Sequence, residues 1–91
     1  MTAVSRQVEI TNKRGLHARA SAKFVNLASE IDARIEVEKD SHRVCGTSIM
    51  GLMMLAASPG YSIRVTATGP EAGPAMDALE QLVASRFGEE I

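Results

Sequence analysis

The sequence is short of several features that usually announce a function. Cys45 is the single cysteine in 91 residues, so no internal disulfide can close, and a reducing, cytoplasmic setting is expected. Tryptophan is absent and aromatics make up 3% of the chain. The polar faces of its alternating segments carry none, which removes the stacking platform of an RNA-binding sheet. A net charge of −1 leaves no basic surplus for nucleic acid or a membrane surface, so any basic patch must be local. The longest apolar run, IMGLMMLAA at 49–57, is too short to span a bilayer. The opening MTAVSRQVEI lacks the apolar core of a signal peptide. No repeat or low-complexity tract is visible.

What is present reads as one domain over residues 1–91, with 45% hydrophobic and 23% charged residues. A chain of this size buries about 60–65% of its unfolded surface. Residues 4–11 alternate as a strand, with Val4, Val8 and Ile10 on one face and Gln7 and Glu9 on the other. After a loop at 12–15, Ala20, Phe24, Leu27, Ala28 and Ile31 recur at helical spacing from Ala18. Residues 33–39 alternate again, Asp40-Ser41 predicts a tight turn, and His42 to Gly46 forms the return strand. Thr47 or Ser48 caps a short helix expected to run to about Ala57. A strand over 61–68 points Tyr61, Ile63, Val65 and Ala67 inward. A last helix starts between Pro70 and Pro74, with Met76, Leu79, Leu82, Val83 and Phe87 as its apolar stripe. The order βαββαβα with half-polar strands predicts an α+β open-faced sandwich: a four-stranded, mainly antiparallel sheet with three helices on one face.

The chemistry concentrates in KRGLHARASAKF, residues 13–24. His17 stands where the first helix begins, with Lys13, Arg14, Arg19 and Lys23 around it. Helix N-termini carry a partial positive charge, so cations gathered there are unfavourable unless an anion is to arrive. A phosphoryl group on the imidazole would meet the free N–H groups of the first turn and the Arg19 guanidinium. Histidine is among the few side chains that carry a phosphoryl group near neutral pH. Ala18 and Ala20 are small enough to leave the ring accessible. The competing reading is a surface histidine in a basic loop. The stretch shows no neighbouring carboxylate or second histidine, so neither a metal site nor a triad is expected. The sequence does not choose between Nδ1 and Nε2.

The short helix has almost no polar face. Leu52 and Leu55 belong to the core, and Ile49, Met50 and Met53 are assigned to an exposed docking patch, because methionines suit a surface that meets several partners. Ser48 is an N-cap residue. His42 is expected to be solvated, Cys45 to be a semi-buried filler, and Arg34, Glu36, Glu38 and Arg64 to form a wet sheet face.

Gly15-Leu16-His17-Ala18-Arg19, with Ala22 and Phe24-Val25 behind it, resembles the active-site segment of HPr, the histidine-containing phosphocarrier family of the bacterial phosphotransferase system. Thr47-Ser48-Ile49-Met50-Gly51-Leu52 resembles that family's regulatory serine segment, and the likeness spans the whole chain. Family members commonly have proline where this chain has Ala20, a hint of the nitrogen-related branch. The resemblance implies the HPr-like sandwich and a monomer without cofactor or enzymatic turnover of its own. It implies that His17 accepts phosphate from Enzyme I at Nδ1, that Arg19 steadies it, and that an EIIA-type protein receives it. It further implies phosphorylation of Ser48 by HPr kinase/phosphorylase. The alternative is a regulatory module that binds its targets mainly in its unphosphorylated state. An acylphosphatase-like hydrolase would need a glycine-rich anion loop after the first strand, and only Asn12 and Gly15 offer anything of the kind.

Overall fold

The computed structural model describes residues 3–89. In chain order the elements are β1 (Ala3–Glu9), α1 (Ala18–Glu30), β2 (Arg34–Lys39), β3 (His42–Cys45), α2 (Ile49–Met54), β4 (Ser62–Thr68) and α3 (Ala72–Ala84), followed by a 3-10 turn at Arg86–Gly88. The strands form one sheet in the order β1-β4-β2-β3, and every neighbouring pair is antiparallel. The expected βαββαβα sandwich is therefore the observed architecture.

Alternation along the strands explains the layering. Val8, Ile35, Val37, Ile63, Val65 and Ala67 are buried beneath the helices. Gln7 and Arg64 are exposed on the opposite face. There Arg34 lies 3.7 Å from Glu36 and Arg43 4.0 Å from Glu38, a solvated sheet surface. Phe24 and Ala28 of α1, Leu52 of α2, and Met76, Leu79 and Val83 of α3 close the core. Burying each of these side chains larger than alanine stabilises the fold by about 1.5–3 kcal/mol. The β2–β3 hairpin turns at Asp40 and Ser41, both with positive φ (51° and 70°), the backbone whose twist matches a two-residue hairpin. Arg6 shares the inner face of β1, yet this is an edge strand, and its guanidinium reaches Asp77 at 2.9 Å and Glu80 at 2.6 Å on α3.

Several boundaries differ from the periodicity. The first strand spans 3–9 rather than 4–11. The short helix ends at Met54, three residues early, because Ala56 turns left-handed (φ 53°). That turn aims the carbonyl of Ala57 at the Leu16 N–H, 3.0 Å away. Phe87 is fully buried, but it lies beyond α3, where Arg86 and Phe87 both have positive φ (59° and 56°). Two non-glycine residues in that region cost about 1–3 kcal/mol each, part of which burial of the Phe87 ring offsets. Tyr61 does not point into the core. It is exposed, with Lys39 Nζ 4.9 Å above its ring. Cys45 is exposed rather than semi-buried. Its thiol lies 3.0 Å from the Thr47 hydroxyl, whose hydrogen bond, aided by a backbone one, pulls the thiol below its usual pKa.

Candidate functional site

His17 is the N-cap of α1, with an extended backbone (φ −75°, ψ −178°). A capping side chain normally offers an oxygen to the first-turn N–H groups. Here Nδ1 of the imidazole accepts from the Arg19 N–H at 3.2 Å. No acidic residue lies in the first turn of α1, so nothing there competes for the amides. Gly15 makes this entry possible. Its φ is +65°, and a Cβ there would sit 2.2 Å from the Ala57 carbonyl oxygen. Leu16 is buried and its N–H reaches that same oxygen, so the histidine loop is tied to the end of α2.

The second ring nitrogen corrects one expectation. A carboxylate does stand beside His17: Glu89 pairs through Oε2 with Nε2 of the imidazole. Sequence reasoning missed it because the two residues lie 72 positions apart, and only the left-handed turn after α3 brings the tail back. The side chains of His17 and Glu89 are 20% and 16% exposed. The ring is thus accessible on one side rather than uncrowded all round. Burial alone would push the Glu89 carboxyl up. The hydrogen bonds from Asn12 and His17 outweigh it and hold the group below its ordinary value.

Asn12 binds the arrangement together. Its Nδ2 donates to the Gly15 carbonyl at 2.8 Å and to Glu89 Oε1 at 3.1 Å. Its buried Oδ1 finds no partner among the described residues, and an acceptor left unpaired costs about 1–3 kcal/mol. Rotating the amide would set Oδ1 against two acceptor oxygens, so the orphaned atom follows from holding both groups at once. Lys23 Nζ donates to the Phe87 carbonyl at 2.6 Å and pins the tail from α1.

Arg19 contributes its backbone N–H to the ring, and its side chain is exposed. Among the described residues it joins no ion pair with a carboxylate. Ser48 is the N-cap of α2, with Oγ accepting from the Gly51 N–H at 3.0 Å. The docking candidates Ile49, Met50 and Met53 are exposed, and Met54, not singled out from the sequence, is the most exposed of the group at 79%. α2 packs on α1, and the segment that ends it is joined through the Ala57 carbonyl to Leu16, the residue before His17.

A small α+β sandwich that presents one imidazole at a helix start and carries an exposed apolar patch on α2 fits the class of phosphocarrier proteins, which hand a phosphoryl group from one protein to another. The family model described as the PTS HPr component phosphorylation site matches residues 4–85. Over 86 residues the chain is 45% identical to the phosphocarrier protein HPr of Cupriavidus necator, covering 94% of this chain and 97% of that one. It is 43% identical over 89 residues to the phosphocarrier protein NPr of Shewanella violacea, with 98% of each covered. A crystal structure of HPr-C-His from Thermoanaerobacter tengcongensis matches with a TM-score of 0.89 at 45% identity, covering 100% of both chains. The chain belongs to the HPr family of phosphocarrier proteins of the phosphotransferase system.

Proposed function

We propose that His17 is the phosphoryl acceptor, that Enzyme I charges it, and that an EIIA-type protein discharges it. The carrying observation is the position of Nδ1 at the start of α1, where its one hydrogen-bond partner among the described residues is a backbone N–H. That bond assigns the lone pair to Nδ1. Attack on phosphorus forms an N–P bond there, and the phosphoryl oxygens take over the first-turn N–H groups, led by that of Arg19. The exposed Arg19 guanidinium swings in to share the negative charge. Because this site is open, it does not grip the phosphoryl group so tightly that onward transfer would slow.

Partners dock on Ile49, Met50 and Met53, with Met54 extending the patch. Phosphorylation of Ser48 by HPr kinase/phosphorylase would retain the cap and add about two negative charges at this surface. Partners with acidic surfaces would then bind less well. The protein acts as a cytoplasmic monomer. Incubation with Enzyme I and phosphoenolpyruvate is expected to give an acid-labile, base-stable phosphate, and His17→Ala is expected to stay folded and unlabelled. A labelled alanine variant would rule His17 out.

A further inference from the structure

The segment after α3, residues 85–89, folds back against the imidazole and is held there at several points. Phe87 is buried to anchor the turn, Lys23 clamps its carbonyl, and Glu89 then lies with one carboxylate oxygen on Asn12 and the other on His17 Nε2. Asn12 is 1% exposed, and its other amide proton holds the Gly15 carbonyl of the histidine loop. A carboxylate that merely drifted near a surface histidine would not share a buried amide with the loop that carries it. The two hydrogen bonds of the ring also require a single tautomer. Nδ1 accepts from Arg19 N–H, so Nε2 bears the proton and donates a hydrogen bond to Glu89.

We infer that Glu89, held by Asn12, is a positioning residue for phosphoryl transfer: it keeps the proton on Nε2, leaves Nδ1 as the nucleophile, and balances the positive charge that transfer places on the ring. The inference rests on the reading of His17 as acceptor. In the step, the Nδ1 lone pair forms the N–P bond while the donor's bond to phosphorus breaks and its electron pair stays with the donor atom. No proton leaves His17. The ring gains one formal positive charge, and the Nε2–H remains directed at the Glu89 carboxylate. On transfer to the next protein the electron pair returns to Nδ1 and the ring is neutral again.

The test compares wild type with Glu89→Ala and Glu89→Gln by two measurements: the initial rate of labelling by Enzyme I with phosphoenolpyruvate, and the imidazole tautomer by nitrogen-15 NMR. Wild type should show the Nε2–H form alone. Glu89→Ala should label about tenfold more slowly, as when an imidazole loses its orienting carboxylate, and should admit the Nδ1–H form. Glu89→Gln should fall between, since its one oxygen cannot accept from both Asn12 and His17. An unchanged rate, a slower rate with an unchanged tautomer, or faster labelling of Glu89→Ala would each overturn the inference while leaving His17 as acceptor. An unlabelled wild type, by contrast, would refute the acceptor reading and this inference with it.

Discussion

Gly15→Ala tests whether the backbone geometry at the histidine loop is as demanding as it looks. The alanine would have to hold φ near +65°, which costs an L-residue about 1–2 kcal/mol. Loss of glycine's freedom in the unfolded chain returns about 0.4–1 kcal/mol. The new Cβ would lie 2.2 Å from the Ala57 carbonyl oxygen and 3.1 Å from Ser58 Cα. Both are backbone atoms, so no side-chain rotation relieves the clash, and separating two tight segments typically costs about 1–3 kcal/mol. The displacement also stretches the Leu16–Ala57 hydrogen bond, which is 3.0 Å long and worth about 0.5–1.5 kcal/mol. Together these give a loss of about 2–5 kcal/mol, against a total of about 5–14 kcal/mol for a domain of this length. Urea denaturation should show the midpoint falling by about 1–3 M with the slope preserved. Labelling by Enzyme I should slow as well, because the loop that shifts sets the His17 cap. A loss under 1 kcal/mol would refute the reasoning, since it would mean that the α2 end yields freely and does not fix the site.

Three further outcomes follow from the same geometry. Met50 is 68% exposed, so Met50→Glu should change stability by no more than about 0.5 kcal/mol while weakening Enzyme I binding about tenfold, about 1.4 kcal/mol; a large stability loss with unchanged affinity would place Met50 in the core. Ser48→Ala removes the acceptor for the Gly51 N–H and should cost about 1 kcal/mol. Ser48→Asp should keep the cap but reduce partner affinity, as titration calorimetry would report. The Glu89 carboxyl is held below its ordinary value, so its contribution to stability is fully present above about pH 4.3 and fades as pH falls through the lower folded value. The stability difference between wild type and Glu89→Ala should therefore shrink in acid, and a difference that grew there would contradict the sign of the shift.

How much could be read without coordinates depended on the range of each interaction. Period-two alternation in 33–39 and 62–68, and the 3.6-residue spacing from Ala20 to Ala28, report a local choice between sheet and core face, and they located the elements. The N-cap roles of His17 and Ser48 were legible for the same reason, because a cap joins groups only two or three residues apart. The family motifs added the carrier chemistry. Tyr61 misled because the alternation begins one residue before β4 starts at Ser62, and at that position the ring stays exposed beneath Lys39. The end of α2 was misjudged because the apolar run 49–57 continues past Met54, while the left-handed turn at Ala56 delivers the Ala57 carbonyl to Leu16, a distant residue.

The sequence by itself determined the order of elements, the faces they bury and the histidine that opens α1, since each follows from side chains a few positions apart. Tertiary structure alone decided which carboxylate meets that histidine. Asn12 and Glu89 are separated by 77 positions, and they meet only because Arg86 and Phe87 accept left-handed backbone to bury one ring. That exchange of local strain for distant packing leaves no periodic mark along the chain.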